Sequence, residues 1–150
     1  MTIPNPATAD RLVLSQELQA LVLEYWYEVD MHHGRQAHLF YTEDAVFETS
    51  LKRRQGRDAI REFYAGREQR GPRVSLHLVH NFRTVPQADG TAAINYVLAL
   101  HAADGAPVLP SRPAIMLADA RETAVRTADG WRFSSRTLRP LFRDDTPTTG

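Results

Sequence analysis

The spacing of apolar residues changes character near position 72, and that change limits the fold of this chain more than any other feature. Before it, Leu18, Leu21, Val22, Tyr25 and Val29 recur at helical intervals. The spacing predicts a helix over 15–33, with Ser15 as its N-cap and Gly34 as its stop. "RQAHLFYTED" reads as a short helix near 36–42 with Leu39 and Phe40 inward, and "AVFETS" as a strand. A further helix over 57–69 carries Ile60, Phe63 and Tyr64 on one face and closes at Gly71-Pro72. After residue 72 the pattern is alternation. "RVSLHLVHNFRTV", "AAINYVLALHA", "AIMLADARETAVR" and "WRFSSRTLRPLF" read as four long strands, and each "ADG" (88–90, 103–105, 128–130) as turn chemistry. Helices followed by a meander of strands predict an α+β fold, a curved antiparallel or mixed sheet covered by about three helices. One domain over 1–150 is expected, with its core at about 12–142 and tails at 1–11 and 143–150.

The composition narrows the function. Hydrophobic residues make up 43%, enough for a packed core. Eighteen basic residues balance eighteen acidic ones, which argues against nucleic acid or an anionic membrane as the main partner. Lys52 is the only lysine, so the positive charge is almost all guanidinium, suited to pairing with carboxylates. The absence of cysteine removes thiol nucleophiles, disulfides and zinc–thiolate sites. No signal peptide and no run of membrane-spanning length is visible, so the expected location is the cytoplasm.

Within "YWYEVDMHHGR" an acid, Asp30, follows the last apolar residue of a core-facing stripe. A buried carboxylate without a partner is costly, and the helix macrodipole disfavours an acid at a C-terminus. Asp30 therefore points either to water or to a partner elsewhere. On the strand starting at Arg73, alternation puts His77, Val79, Asn81 and Arg83 on one face. Leu76, Leu78, His80 and Phe82 fall on the other, the apolar face expected to pack on helices. The polar face suits a pocket or solvent.

The segments "VDMHHGRQAHLFYTEDAVFE", "QGRDAIREFY", "SLHLVHNFRTV" and "DGWRFSSRTLRPLF" resemble the SnoaL-like branch of the nuclear-transport-factor-like superfamily, over residues 12 to 142. The resemblance implies a cone built from a bent sheet and about three helices. Eliminating members of that superfamily, similar to scytalone dehydratase and the bile-acid dehydratases, use an Asp–His dyad, and Asp30 and His77 match its positions. Tyr25 matches a site tyrosine of the bile-acid dehydratases. Scytalone dehydratase has a tyrosine directly before the aspartate, where this chain has Val29. His101 is a rough match to that enzyme's second histidine.

The implied chemistry is proton abstraction next to a carbonyl. A neutral imidazole has the right basicity, and a carboxylate on its other nitrogen holds the productive tautomer and stabilises the imidazolium. His77 would be the base and Asp30 its orienter. Tyr25, about 140° round the helix from Asp30, would flank the cavity as an oxyanion donor. Candidate substrate-binding residues are Trp26, Phe47, Glu48, Phe63, Val79, Asn81 and His101. No cofactor and no metal is expected, and His32, His33 and His38 read as surface residues. The expected function is a dehydratase acting on a small cyclic or polyketide-like hydroxy-carbonyl compound. The alternatives are an isomerase working by proton transfer, and a non-catalytic binding or assembly subunit like the β subunit of ring-hydroxylating dioxygenases. A homo-oligomer, dimer or trimer, is expected from the resemblance and from "AIML" on an exposed sheet face.

Overall fold

The computed structural model describes residues 9–148. Helix α1 (Ala9–Met31) and a single 3-10 turn (Ala37–Phe40) precede strand β1 (Tyr41–Thr49) and a short β2 (Arg53–Gln55). Helix α2 (Arg57–Gln69) leads into β3 (Arg73–Pro86), β4 (Ala92–Asp104), β5 (Met116–Thr127) and β6 (Gly130–Arg143). The strands form one curved, unclosed sheet in the order β2-β1-β6-β5-β4-β3. All neighbours are antiparallel except β1 and β6, which run parallel. The sheet is thus mixed, and the fold is α+β as the change of spacing predicted.

Several boundaries differ from the sequence-based expectation. The first helix already runs at Ala9, so Ser15 is an interior residue and not its N-cap. The lead at 1–8 lies outside the described residues. The helix expected at 36–42 is one 3-10 turn, because Tyr41 is claimed by β1 and pairs with Phe133. Leu39 on that turn is 48% exposed rather than inward. The tail is docked as far as Thr148: the Asp144 amide donates to the Ile115 carbonyl, and Arg73 donates to the Pro147 carbonyl.

The core lies between the helices and the inner face of the sheet. Leu18, Val22, Tyr25, Trp26 and Val29 are the buried stripe of α1. Each large apolar side chain so buried contributes about 1.5–3 kcal/mol relative to exposure. Gly34 ends the approach of α1 to α2: its φ is 71°, and a Cβ there would stand 2.5 Å from the Tyr64 ring. Only glycine allows that contact in that conformation.

The His77 face of β3 lines a cleft, as expected of it, but the helix packs on that same face and not on the Leu76 and Leu78 face. α1 packs on the face of Ser75, His77 and Val79, whereas Leu76 and Leu78 are each 41% exposed on the outside. At Asn81, with φ 53°, the register with β4 shifts, and Phe82 turns inward to stack on Tyr96. Strict alternation fails at this bulge. The "AIML" segment is not an exposed apolar face either, since Ile115 is 1% exposed and Met116 packs against the core.

Candidate active site

Asp30 sits in the last turn of α1, where the helix crosses β3. Its Oδ1 lies 2.6 Å from His77 Nδ1, and its Oδ2 accepts the His77 backbone N–H at 2.7 Å. The Ser75 hydroxyl donates to Oδ1 at 3.2 Å, and Arg67 donates to that hydroxyl at 2.6 Å. Both carboxylate oxygens are therefore satisfied, and the Asp30 side chain is only 7% exposed. That set of partners is why an acid is tolerated at the edge of an apolar stripe.

The His77 ring is held from a second direction. Trp26, one helical turn before Asp30 on the same face of α1, stacks on it at 4.1 Å with the planes 11° apart. With Nδ1 committed to Asp30, Nε2 has no partner among the described residues. The tautomer fitting this arrangement has Nδ1–H donating to the carboxylate and a lone pair on Nε2. Burial pushes the imidazole pKa below its ordinary value, against the pull of Asp30, and the positive charges of Arg67 and Arg136 act in the same direction as burial. The ring is thus neutral at neutral pH.

His77 lines a narrow cleft that opens to solvent. Trp26, Phe47, Phe63 and Tyr64 give it aromatic sides, and Leu98, Leu100, Met116 and Leu138 an aliphatic one. Leu51 and Arg143, both exposed, stand at the rim. The cleft is apolar with a few convergent polar groups, the usual composition of a small-molecule site.

The SnoaL-like domain family model matches residues 10–137, nearly the whole of the described chain. The chain belongs to the SnoaL-like domain family. Solved structures with the same fold include a protein of Novosphingobium aromaticivorans provisionally named a scytalone dehydratase, which is 22% identical. That match covers 94% of this chain and 93% of the other, with a TM-score of 0.79. ActVI-ORFA from Streptomyces coelicolor is 15% identical over 85% of this chain and 98% of its own, with a TM-score of 0.75. Aln2 from another Streptomyces species is 16% identical over 93% of this chain and 94% of its own, also at 0.75. A comparison with curated proteins finds no match. At these identities the structural likeness concerns the fold alone.

On this SnoaL-like frame, His77, Trp26, Phe47 and Phe63 line one cleft, Asp30 reaches it only through its bond to His77, and the remaining candidates do not line it. Val79 packs into the core beyond the cleft. Glu48 pairs with Arg53 at 3.3 Å on the exposed side of β1. Asn81 is exposed at the bulge. His101 lies on the outer face of the sheet, its Nδ1 3.3 Å from the Arg112 carbonyl oxygen. The histidines near the end of α1 are dispersed: His32 bonds Glu28 at 2.8 Å, His33 stands in a left-handed conformation, and His38 is half-buried rather than on the surface.

Tyr25 is fully buried and is not a lining residue; its hydroxyl bonds that of Tyr64, which does line the cleft. The pair opens a buried polar chain. Tyr41 donates to Tyr25 at 3.0 Å, Arg136 Nη1 donates to Tyr41 at 3.0 Å, and Arg136 Nε donates to Glu122 Oε1 at 2.6 Å. Tyr96 donates to the same Glu122 oxygen at 2.6 Å and accepts from Trp26 Nε1 at 2.9 Å. Burial raises the pKa of the Tyr25, Tyr64 and Tyr96 phenols well above the ordinary value, so each stays a neutral donor. Sequence reading missed Tyr64, Ser75, Arg67, Glu122 and Arg136 as parts of this region. Only Tyr64 left a signal, on the inward face of α2 with Phe63.

Proposed function

We propose that this protein is a cofactor-independent lyase, a dehydratase that begins by removing a proton next to a carbonyl of a small cyclic hydroxy-carbonyl compound. One observation carries the reading. The His77 imidazole is oriented by Asp30, stacked on Trp26 and lines an apolar cleft, with its remaining nitrogen unpartnered among the described residues and burial lowering its pKa. In that setting Nε2 takes the proton, and the imidazolium that forms is stabilised by the Asp30 carboxylate. The enolate oxygen that develops needs a donor, and Tyr64 is the phenol on the cleft. Elimination follows when the electron pair of the enolate expels the β-hydroxyl, with the imidazolium returning the proton to make water.

An isomerase would share the first step and differ in where the proton returns. A panel of cyclic β-hydroxy ketones in D₂O, followed by NMR, separates the outcomes. Loss of water with exchange of the α-proton is the expected result. Exchange with a shifted double bond and no loss of water would replace the dehydratase by an isomerase. No exchange with any member, or exchange undiminished in His77→Ala, would overturn the base assigned here.

A further inference from the structure

The cleft carries a charge that proton abstraction does not use. Arg67, Arg73 and Arg143 all line it, and among the described residues no aspartate or glutamate does. Arg73 is partly neutralised from outside by Asp104 at 2.8 Å. Glu68, beside Arg67 in sequence, is held by Arg35 at 2.5 Å and is not available to Arg67. Arg67 makes one hydrogen bond among the described residues, to the Ser75 hydroxyl, which leaves most of its guanidinium donors unused. The Arg143 side chain, at the rim, has no hydrogen-bond or ion-pair partner among the described residues. The Asp30 carboxylate, behind His77, is likewise consumed by His77 and Ser75. An aromatic and aliphatic cleft with surplus guanidinium and no lining acid is complementary to a flat apolar body bearing an oxyanion. Guanidinium matches carboxylate and phosphate alike, through paired N–H donors in one plane.

We propose that the compound bound in this cleft is an anionic ring compound, its oxyanion held by Arg67 and Arg143 with Arg73 adding positive field. This rests on the reading that the cleft is the substrate site, and it does not depend on which reaction follows. It also gives Arg67 two tasks. Through Ser75 it braces Asp30, and its spare donors take the anion. The charged group is thereby placed at a defined distance from the base, which orients the ring carbon to be deprotonated.

The test is binding, measured by calorimetry and by quenching of Trp26 fluorescence, with 2-naphthoate, 2-naphthyl phosphate and neutral 2-naphthamide as probes. The better of the two anions is expected to bind about 10-fold or more tightly than the amide, the size of one charge-assisted hydrogen bond. Which anion wins names the oxyanion. Arg143→Gln, at an exposed position where folding is not at risk, should shrink the preference. Arg67→Gln should shrink it further, and Arg83→Gln, away from the cleft, should leave it unchanged. Equal binding of acid and amide, no binding of any probe at millimolar concentration, or an anion preference that survives both substitutions at the cleft would overturn the proposal. Because binding is read without turnover, the preference is expected to persist in His77→Ala. Its persistence there alongside failed catalysis would separate loss of the lyase reading from loss of the anion site.

Discussion

Asp30–His77 and Glu122–Arg136 are both acid–base pairs taken out of water, and both are drawn together to 2.6 Å. They differ in what is left over. His77 lines a cleft and keeps a ring nitrogen without a partner among the described residues, and Asp30 divides its two oxygens among three donors. The side chains of Glu122 and Arg136 are fully buried, and Arg136 Nε and the Tyr96 hydroxyl both donate to one Glu122 oxygen. The Arg136 guanidinium is boxed by rings, 3.7 Å from the centre of Tyr25 and 4.4 Å from that of Phe133. Burial opposes its charge, yet Glu122 and the surrounding phenols raise its pKa well above the ordinary value. It is a fixed cation that never titrates. His77, with its pKa lowered, can change state during a reaction. Bond length and burial alone therefore do not distinguish a reacting pair from a structural one. A spare acceptor with a path to open space does.

Substitution should pull the two pairs apart by readout. The largest effect expected is on turnover. His77→Ala and Asp30→Asn should each lower kcat by about 10³- to 10⁴-fold, and the double variant should be little worse than either, as for residues acting as a unit. Asp30→Asn should keep its melting transition near that of the parent, since an amide still meets Ser75 and the ring. Near-additive losses in the double variant would show that the two do not work together.

The counterpart is Arg136→Met. It strands Glu122 in the core and should cost about 3–5 kcal/mol of stability, read by denaturant unfolding. Turnover per folded molecule should stay within about 10-fold of the parent. Replacing both members, Glu122→Leu with Arg136→Met, should recover much of the loss, because paired ions of this kind are often exchangeable for apolar groups. If Arg136→Met folded normally and lost all activity, the contrast between the pairs would fail.

A smaller effect belongs to the phenol on the cleft. Tyr64→Phe should lower kcat by about 10- to 100-fold, less than loss of a dedicated oxyanion donor, because Tyr64 shares its hydroxyl with Tyr25. Tyr25→Phe should cost less still, as Tyr25 does not reach the cleft. The reverse order would return the oxyanion role to Tyr25.

The elements of this fold were largely legible because long periodic segments announce themselves. The α2 helix falls at 57–69, where the spacing put it, and the four long strands lie where alternation did. The Asp30–His77 contact was legible in part, since an acid closing an apolar stripe requires a partner. Three things were not. The face of β3 that packs on α1 was misread because it is the polar one, and hydrophobicity alone assigns helix packing to Leu76 and Leu78. The bulge at Asn81 reverses the alternation, and nothing in "LVHNFRT" except a residue tolerant of positive φ hints at it. The Glu122–Arg136 pair joins neighbouring strands, β5 and β6, at a register that only the pairing reveals, so neither charged residue stood out in its amphipathic strand.

The least conspicuous effect expected is a shift in the pH profile, and it bears directly on how far the two pairs are independent. His77 has a folded-state pKa below its ordinary 6.5, so the folded protein binds its proton less readily than the unfolded chain. Its contribution to stability is therefore present above about pH 6.5 and lost as the pH falls through the folded-state value, with a slope of at most about 1.4 kcal/mol per pH unit for one proton. Catalysis needs the neutral ring, so kcat/KM should fall on an acid limb of one proton lying below pH 6.5. Asp30 holds that pKa up, and Arg67 and Arg136 push it down. Asp30→Asn should then move the limb of the residual activity to lower pH, whereas Arg67→Gln and Arg136→Met, each removing a positive charge, should move it to higher pH. A limb that shifts with Arg67→Gln and stays in place with Arg136→Met would mean that the sealed pair exerts no field on the open one. The two would then be coupled only through the folding of the cone.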